Sequence, residues 1–219
     1  MVDFFLYLAY GILLLNLSLF AISFFKKEKV NGFFLFYLLF VTIIQLSMEA
    51  LYHLHIKNLF LMNLFFIGQM ILLGFFYGSL TCLKVQKRVI YCTTALVLTG
   101  IGIQSWLDSE QFFQYNLFVI VIANLSVIVF AVIHLYNMLT TVKKYYYFTI
   151  GLIIYLLAST MVFVVGNINA KLSNEFKFLL WIFNSVLIVI YYLFILYEWK
   201  VSFLQKKNAI TYFYMKYKQ

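Results

Sequence analysis

Three polar side chains, Gln45, Glu49 and His53, stand four residues apart within one long apolar stretch of the chain. On a helix this spacing places all three on one face, within about 80° of each other. A carboxylate near the centre of a bilayer costs at least about 2.5–3.5 kcal/mol, so this face is predicted to point at protein or water and not at lipid. Amide, carboxylate and imidazole groups arranged in this way can bind a ligand or a proton.

Glu49 is the residue on which the predicted site depends, because ionisable residues inside membranes usually mark transport pathways, proton relays or ligand contacts. His53 lies one turn further on and, when protonated, would favour the charged form of the carboxylate. The alternative for His53 is ordinary polarity at a helix end. We therefore predict an outward-facing polar site around Glu49.

Two further amides, Gln69 and Asn184, are predicted to join this site. Each falls inside a later apolar stretch, at the midpoint or toward the side on which Glu49 lies. Amide side chains in a membrane bundle also form ordinary interhelical hydrogen bonds, worth about 0.6 kcal/mol for each pair. The sequence leaves two roles open for these residues: they line a pocket, or they only connect one helix to another.

The same residues give little indication of a metal site or an enzyme. Glu49, His53 and His55 are suitable ligand types, but two of them share a helix face and the third does not. The chain contains no G-x-S-x-G, H-E-x-x-H, paired-aspartate or histidine-box arrangement. A retinal Schiff base would need a lysine within the last apolar segment, and residues 179–198 contain none. We expect no enzymatic activity, no metal ion and no cofactor.

Long apolar segments carry these residues. Hydrophobic residues make up 65% of the 219-residue chain and charged residues 11%, against about 25% charged residues in soluble domains. Helices and closed barrels are the structures that satisfy their backbone groups in lipid, and the alternation typical of barrel strands is absent from the sequence. The prediction is an all-α, polytopic integral membrane protein with seven transmembrane helices. The predicted spans are residues 4–25, 33–54, 59–83, 89–107, 116–139, 146–165 and 178–199.

Charge determines the predicted orientation. Thirteen lysine and arginine residues follow the odd-numbered spans, whereas Lys57, Lys171 and Lys177 lie on the opposite side. By the positive-inside rule the N-terminus is outside and the C-terminus is cytoplasmic. Topology also accounts for the net charge of +9, which in a soluble protein would suggest nucleic acid as a partner. We expect a multi-pass protein of the bacterial inner (cytoplasmic) membrane that contacts the lipid bilayer and does not bind nucleic acid.

The chain is predicted to divide into a transmembrane domain over residues 1–199 and a basic, aromatic cytoplasmic tail over residues 200–219. The tail combines Lys206 and Lys207 with Phe213 and Tyr214, a composition typical of a helix that lies on anionic lipid. This composition suits two alternative roles for the tail: anchoring to the membrane or docking of a protein partner. No positively charged stretch precedes the first span and no A-x-A-like site ends it, so this span is expected to remain as a helix.

An internal repeat is suggested by Asn16-Leu17-Ser18 in the first span and Asn124-Leu125-Ser126 in the fifth, since a Lys-Lys pair follows each. Spans one to three and five to seven would then form two parallel triplets, with the fourth helix between them. This three-one-three threading is similar to that of the SWEET and PnuC transporters of sugars and vitamin precursors. The resemblance implies small-solute transport. The chain departs from it in having no proline, whereas SWEET proteins have characteristic prolines.

The junction of the last span with the tail, Tyr197 to Leu204, resembles that of the seven-helix membrane modules found ahead of bacterial histidine kinases. The resemblance implies a sensor that passes a signal to the cytoplasm. No kinase, cyclase or DNA-binding domain follows in the sequence, so the signal would have to reach a separate protein. The overall expectation is a non-enzymatic protein that acts by binding, as a sensor-like receptor or as a subunit of a larger membrane complex. Small-solute transport is the alternative.

Overall fold

The structure is a computed structural model that describes residues 2–28, 30–140, 143–168 and 174–204. Throughout these residues the regular elements are helices, and no strand is present. The α-helices are α1 (Val2–Phe25), α2 (Gly32–His53), α3 (Leu59–Leu80), α4 (Lys84–Leu107), α5 (Ser109–Phe112), α6 (Leu117–Asn137), α7 (Tyr146–Ile168) and α8 (Asn174–Trp199). Seven of them, all except α5, are long and apolar enough to cross a membrane. The predicted all-α class and the number of candidate spans are confirmed.

Helix boundaries differ from the prediction at α4 and α8. The sequence predicts a loop over Lys84–Arg88, but these residues form the first turns of α4. Lysine, glutamine and arginine are good helix formers, and their long side chains can reach water from the end of a membrane helix. α8 begins at Asn174 and not at the predicted residue 178, and it continues as a π-helical turn over Lys200–Leu204.

Six of the long helices pack in a closed ring. α1 contacts α2, α2 contacts α3, α3 contacts α6, α6 contacts α7, α7 contacts α8, and α8 contacts α1. α4 packs outside this ring, against α3 and α6. In its most apolar stretch 11% of the residues are buried, the lowest share of the seven candidate spans. The interior of the ring is therefore built by six helices, and α4 is peripheral.

Phe34 of α2 lies at the centre of the aromatic packing inside the ring. Its side chain is fully buried. The ring centroids of Phe20, Phe76, Tyr145 and Phe148 lie 4.7–5.4 Å from that of Phe34. Aromatic pairs at such distances contribute about 0.5–1.5 kcal/mol beyond their burial. Phe34 thus connects α2 with α1, α3, α7 and the segment before α7.

The close approach of α7 to α8 depends on Gly151. A Cβ atom added there would lie 2.5 Å from the Cβ atom of Phe194. Small residues allow membrane helices to approach each other closely, and dispersion contacts then stabilise the pair. This approach brings Tyr155 of α7 against Tyr191 of α8, with ring centroids 4.9 Å apart and planes 11° from parallel.

We expect Phe34→Ala to lower the free energy of unfolding by about 3–5 kcal/mol, because the cavity would disrupt packing among four elements. Unfolding in mixed micelles by titration with sodium dodecyl sulfate would measure the change. Phe36→Ala is the matched control: Phe36 is on the same helix but 62% exposed, so its replacement should cost less than about 1 kcal/mol. Similar losses for the two variants would contradict a central role for Phe34.

Candidate functional site

The carboxylate of Glu49 is bound from two helices near the end of α2. The Tyr10 hydroxyl of α1 donates a hydrogen bond to Oε2 at 3.1 Å, and the Tyr7 hydroxyl donates to Oε1 at 3.4 Å. His53, on the next turn of α2, places Nε2 3.0 Å from Oε1. The Glu49 side chain is 21% exposed. The carboxylate is therefore partly shielded but can be reached from outside the bundle.

Local sequence explains why these groups meet. A six-residue link joins α1 to α2, and such a short link makes the two helices antiparallel neighbours. The start of α1 therefore packs beside the end of α2. Tyr7 and Tyr10 are three residues apart on α1, while Glu49 and His53 are four apart on α2, so each pair lies on one helix face. We call these four residues the Glu49 site.

Gln45 lies one turn before Glu49 and connects α2 to α8. Its Nε2 donates a hydrogen bond to the Tyr192 hydroxyl at 2.6 Å. The backbone carbonyl of Tyr192 accepts a second hydrogen bond at 2.9 Å, from Nδ2 of Asn16 on α1. Tyr192, which is 2% exposed, thus receives hydrogen bonds from both helices that form the Glu49 site.

The other oxygens of these two amides are buried without a partner. Asn16 Oδ1 and Gln45 Oε1 have no hydrogen bond within the described part of the chain. An unpaired buried acceptor costs about 1–3 kcal/mol, which a donor supplied by a bound group would recover. The nitrogen atoms of the same two amides both bind Tyr192 of α8, so the two oxygens are further positions near this residue at which a polar group could bind.

Gln69 lies apart from the Glu49 site, in a tyrosine cluster inside the ring. Its Oε1 accepts a hydrogen bond from the Tyr37 hydroxyl at 3.4 Å, and the Tyr37 and Tyr191 hydroxyls are 2.8 Å apart. Tyr155 stacks on Tyr191, as described above. These side chains connect α2, α3, α7 and α8. The contacts of Gln69 are therefore with buried tyrosines, and none of its described hydrogen bonds reaches Glu49.

Asn184 is on α8, two turns before Tyr191. Its Oδ1 atom is buried and has no hydrogen-bond partner among the residues that the structure describes. Of the five residues predicted to form the site, Gln45, Glu49 and His53 occupy successive turns of α2, Gln69 is on α3 and Asn184 is on α8. The tail residues predicted to contact lipid or a partner lie outside the described residues: Lys206, Lys207, Phe213 and Tyr214.

A second acid, Glu198, is buried at the opposite end of the bundle, and no pattern in the sequence predicts a role for it. It is 2% exposed. Its Oε2 atom accepts hydrogen bonds from the backbone N–H groups of Tyr147 at 2.9 Å and Phe148 at 3.5 Å, and Oε1 accepts from the Ser202 hydroxyl at 2.5 Å. A carboxylate at a helix N-terminus also interacts favourably with the helix dipole. Glu198 therefore connects the end of α8 to the start of α7.

Two more contacts connect the elements at this end. Nε1 of Trp199 on α8 donates to the Ser23 hydroxyl of α1 at 3.0 Å. The backbone N–H of Asn31, just before α2, donates to the Tyr145 hydroxyl at 2.8 Å. Burial raises the pKa of Tyr145 to about 12, and the charge of Glu198 acts in the same direction, so this hydroxyl stays protonated near neutral pH. The end of α8 is thus connected to both α1 and α7.

The described residues do not form a metal centre. No group of three histidine, cysteine, aspartate or glutamate side chains is placed to bind a metal ion in the described part of the chain. A cleft of about 150 Å³ lies beside Glu198 and not beside Glu49. Its lining residues are Lys143, Tyr146, Tyr147, Glu198, Val201 and Ser202. The Glu49 site lies between α1 and α2 and is partly exposed, since the side chains of Glu49 and His53 are 21% and 61% exposed; we call this partly exposed space between the two helices the groove.

No protein family, no curated protein and no solved structure matches this chain. The function therefore has to be inferred from the chemistry of the site.

We expect Tyr192→Phe to lower the free energy of unfolding by about 1–3 kcal/mol, because the Gln45 amide would be left buried without a hydrogen-bond partner. Unfolding in mixed micelles by titration with sodium dodecyl sulfate measures this change in free energy. Tyr136→Phe removes a hydroxyl from a tyrosine that is 67% exposed and should change the stability by less than about 0.5 kcal/mol. Equal stability of the two variants would show that the bond between Gln45 and Tyr192 contributes nothing.

Proposed function

We propose that the chain is a non-enzymatic protein of the bacterial inner membrane that acts by binding, as a sensor-like receptor with its ligand site at Glu49. The observation that carries this proposal is the connection from Glu49 to α8. The carboxylate contacts Tyr10 of α1, and Gln45, one turn away on α2, contacts Tyr192 of α8. A ligand that changes the hydrogen bonds of Glu49 therefore acts on helices that both contact α8.

α8 can carry such a change to the other end of the bundle. It runs from Asn174 to Trp199 and continues as a helical turn to Leu204. Near that end Glu198 contacts α7 and Trp199 contacts α1. A ligand shifts a conformational equilibrium by the difference in its affinity for the two states. We infer that one state of α8 is favoured when Glu49 keeps its tyrosine contacts and another when a ligand replaces them.

We place the Glu49 site on the outer side of the membrane, with the N-terminus outside and the C-terminus in the cytoplasm. Eight lysine and arginine residues among those described lie at the end formed by the α1–α2 link, the start of α4, the segment before α7 and the end of α8. Lys57 and Lys177 lie at the end that carries Glu49. By the positive-inside rule the end with eight cations is cytoplasmic. The signal would then pass from outside to inside.

The centre of the ring favours a receptor over a small-solute transporter. The side chains of Tyr37, Tyr155 and Tyr191 fill the interior where a solute would have to pass, and all three are buried. Uptake of a solute by the purified protein in proteoliposomes would favour the transporter and contradict the proposal.

A subunit of a larger membrane complex is a second candidate, which the position of α4 supports. This helix packs outside the ring, and Leu96 and Trp106 are 70% and 87% exposed. An added Cβ atom at Gly100 or Gly102 would have no neighbour within 4 Å, so another helix could approach closely there. Native mass spectrometry after extraction in mild detergent would detect a stoichiometric partner. Recovery of the chain alone would contradict this candidate.

We expect Glu49→Gln to increase amide hydrogen exchange both at residues 46–54 and at residues 195–204 when the protein is in lipid nanodiscs. Loss of the carboxylate weakens the contact between α1 and α2. α8 packs on α1 and is hydrogen-bonded to α2 through Gln45 and Tyr192. An increase of about tenfold at residues 195–204 corresponds to a coupling free energy of about 1.4 kcal/mol, within the usual range for linked sites.

The matched control is Glu110→Gln, which removes an exposed acid from α5 at the same end of the bundle. It should leave exchange at residues 195–204 unchanged. A response to Glu49→Gln confined to residues 46–54 would contradict a signalling route to the end of α8.

A further inference from the structure

Among the described residues the ion-pair partner of the Glu49 carboxylate is a histidine and not a lysine or arginine. This histidine is His53, which is charged only when protonated. Within the described residues no lysine or arginine lies within 4.0 Å of this carboxylate. Tyr7 and Tyr10 supply hydrogen bonds but no charge. An added cation would therefore gain a full charge interaction in a groove that is only partly exposed to solvent.

Tyr7 and Tyr10 of α1 and His53 of α2 contact this carboxylate, and Tyr52 contacts His53. On α1 the rings of Tyr7 and Tyr10 are 6.3 Å apart with planes at 72°. On α2 the rings of Tyr52 and His53 are 5.6 Å apart with planes at 68°. Tyr7 and Tyr52 are 54% and 68% exposed. Exposed tyrosine faces attract cations, and proteins use such aromatic faces to recognise organic ammonium ligands.

The donor set of the groove suits an ammonium group better than a metal ion or an anion. One carboxylate with phenol hydroxyls is a poor set for a transition metal, and the described residues bring no third metal-binding side chain to it. An anion would be repelled by Glu49. A purely apolar ligand would remove water from the carboxylate without replacing its hydrogen bonds.

We propose that the groove between α1 and α2 binds an organic ammonium group, with the cation on the Glu49 carboxylate and against Tyr7 and Tyr52. This inference rests on the proposed function, because it names the ligand class of the same site. Glu49 is one turn, about 6 Å, from the end of α2 at His53. That depth can be reached by the amine of a phospholipid headgroup and by a soluble amine.

Protection from chemical labelling tests the proposal. Full-length protein in nanodiscs of phosphatidylglycerol is treated with dicyclohexylcarbodiimide. Because an amine can also trap the activated carboxyl group as an amide, labelling is measured by mass spectrometry as the total loss of unmodified Glu49. Ethylammonium chloride should slow the labelling by about tenfold at ten times its dissociation constant. Sodium chloride at the same concentration controls for screening. Replacement of part of the phosphatidylglycerol by phosphatidylethanolamine, without soluble amine, tests the lipid headgroup as the source.

Two further variants test how much the aromatic rings contribute to ethylammonium binding. Tyr7→Leu and Tyr52→Leu should each raise the ethylammonium concentration for half-protection about two- to fivefold. Tyr136→Leu, which alters an exposed tyrosine at the other end of the bundle, should leave it unchanged. In a measurement that needs no labelling, saturation-transfer nuclear magnetic resonance should detect ethylammonium binding to the wild type and to Glu110→Gln but not to Glu49→Gln.

Protection by ethylammonium supports a soluble amine as ligand, and protection by phosphatidylethanolamine supports a lipid headgroup. Failure of both, or equal protection by sodium, would overturn the ammonium proposal. The result of this binding test is independent of the hydrogen-exchange test of the receptor function. If Glu49→Gln changes hydrogen exchange at residues 195–204 but no ammonium binds, the protein is a receptor for a different class of ligand. If ammonium binds but hydrogen exchange at residues 195–204 does not change, the site binds cations without signalling.

Discussion

A carboxylate that lies among membrane helices loses much of its contact with water, so the protein must supply hydrogen bonds in its place. Two of the acids in this chain are placed under that constraint. Glu49 receives bonds from Tyr7, Tyr10 and His53, while Glu198 receives them from the backbone of α7 and from Ser202. Each set of contacts joins neighbouring helices. The two acids therefore connect α1 with α2 at one end of the ring and α7 with α8 at the other.

Tyrosine side chains form the contacts between these two ends and the interior of the ring. A tyrosine ring packs as a large apolar group, and its hydroxyl can pair with a buried polar group. Tyr192 pairs with Gln45, and Tyr37 pairs with Tyr191 beside Gln69. The interior of the ring is consequently both filled and polar. Such a core suits a protein that switches between arrangements of hydrogen bonds better than one that opens a path for a solute.

Much of the fold could be predicted from the sequence, because apolar segments long enough to span a bilayer leave little choice but helices. The spacing of Gln45, Glu49 and His53 also predicted their common face, since that arrangement is local to α2. Their partners could not be predicted. Whether Gln45 meets Tyr192 or another tyrosine depends on the order of helices around the ring. The burial of Glu198 depends on the position of α7, and Lys84–Arg88 became helical because helix propensity continued where apolar character stopped.

The central claim is that Glu49 acts on the end of α8 through the contact between Gln45 and Tyr192. A double-mutant cycle with Glu49→Gln and Tyr192→Phe, read as hydrogen exchange at residues 195–204 in nanodiscs, tests it most directly. If the claim is right, Glu49→Gln will have little further effect once Tyr192→Phe is present, and the coupling free energy will be about 0.5–3 kcal/mol. Additive effects of the two substitutions, with a coupling free energy near zero, would contradict it.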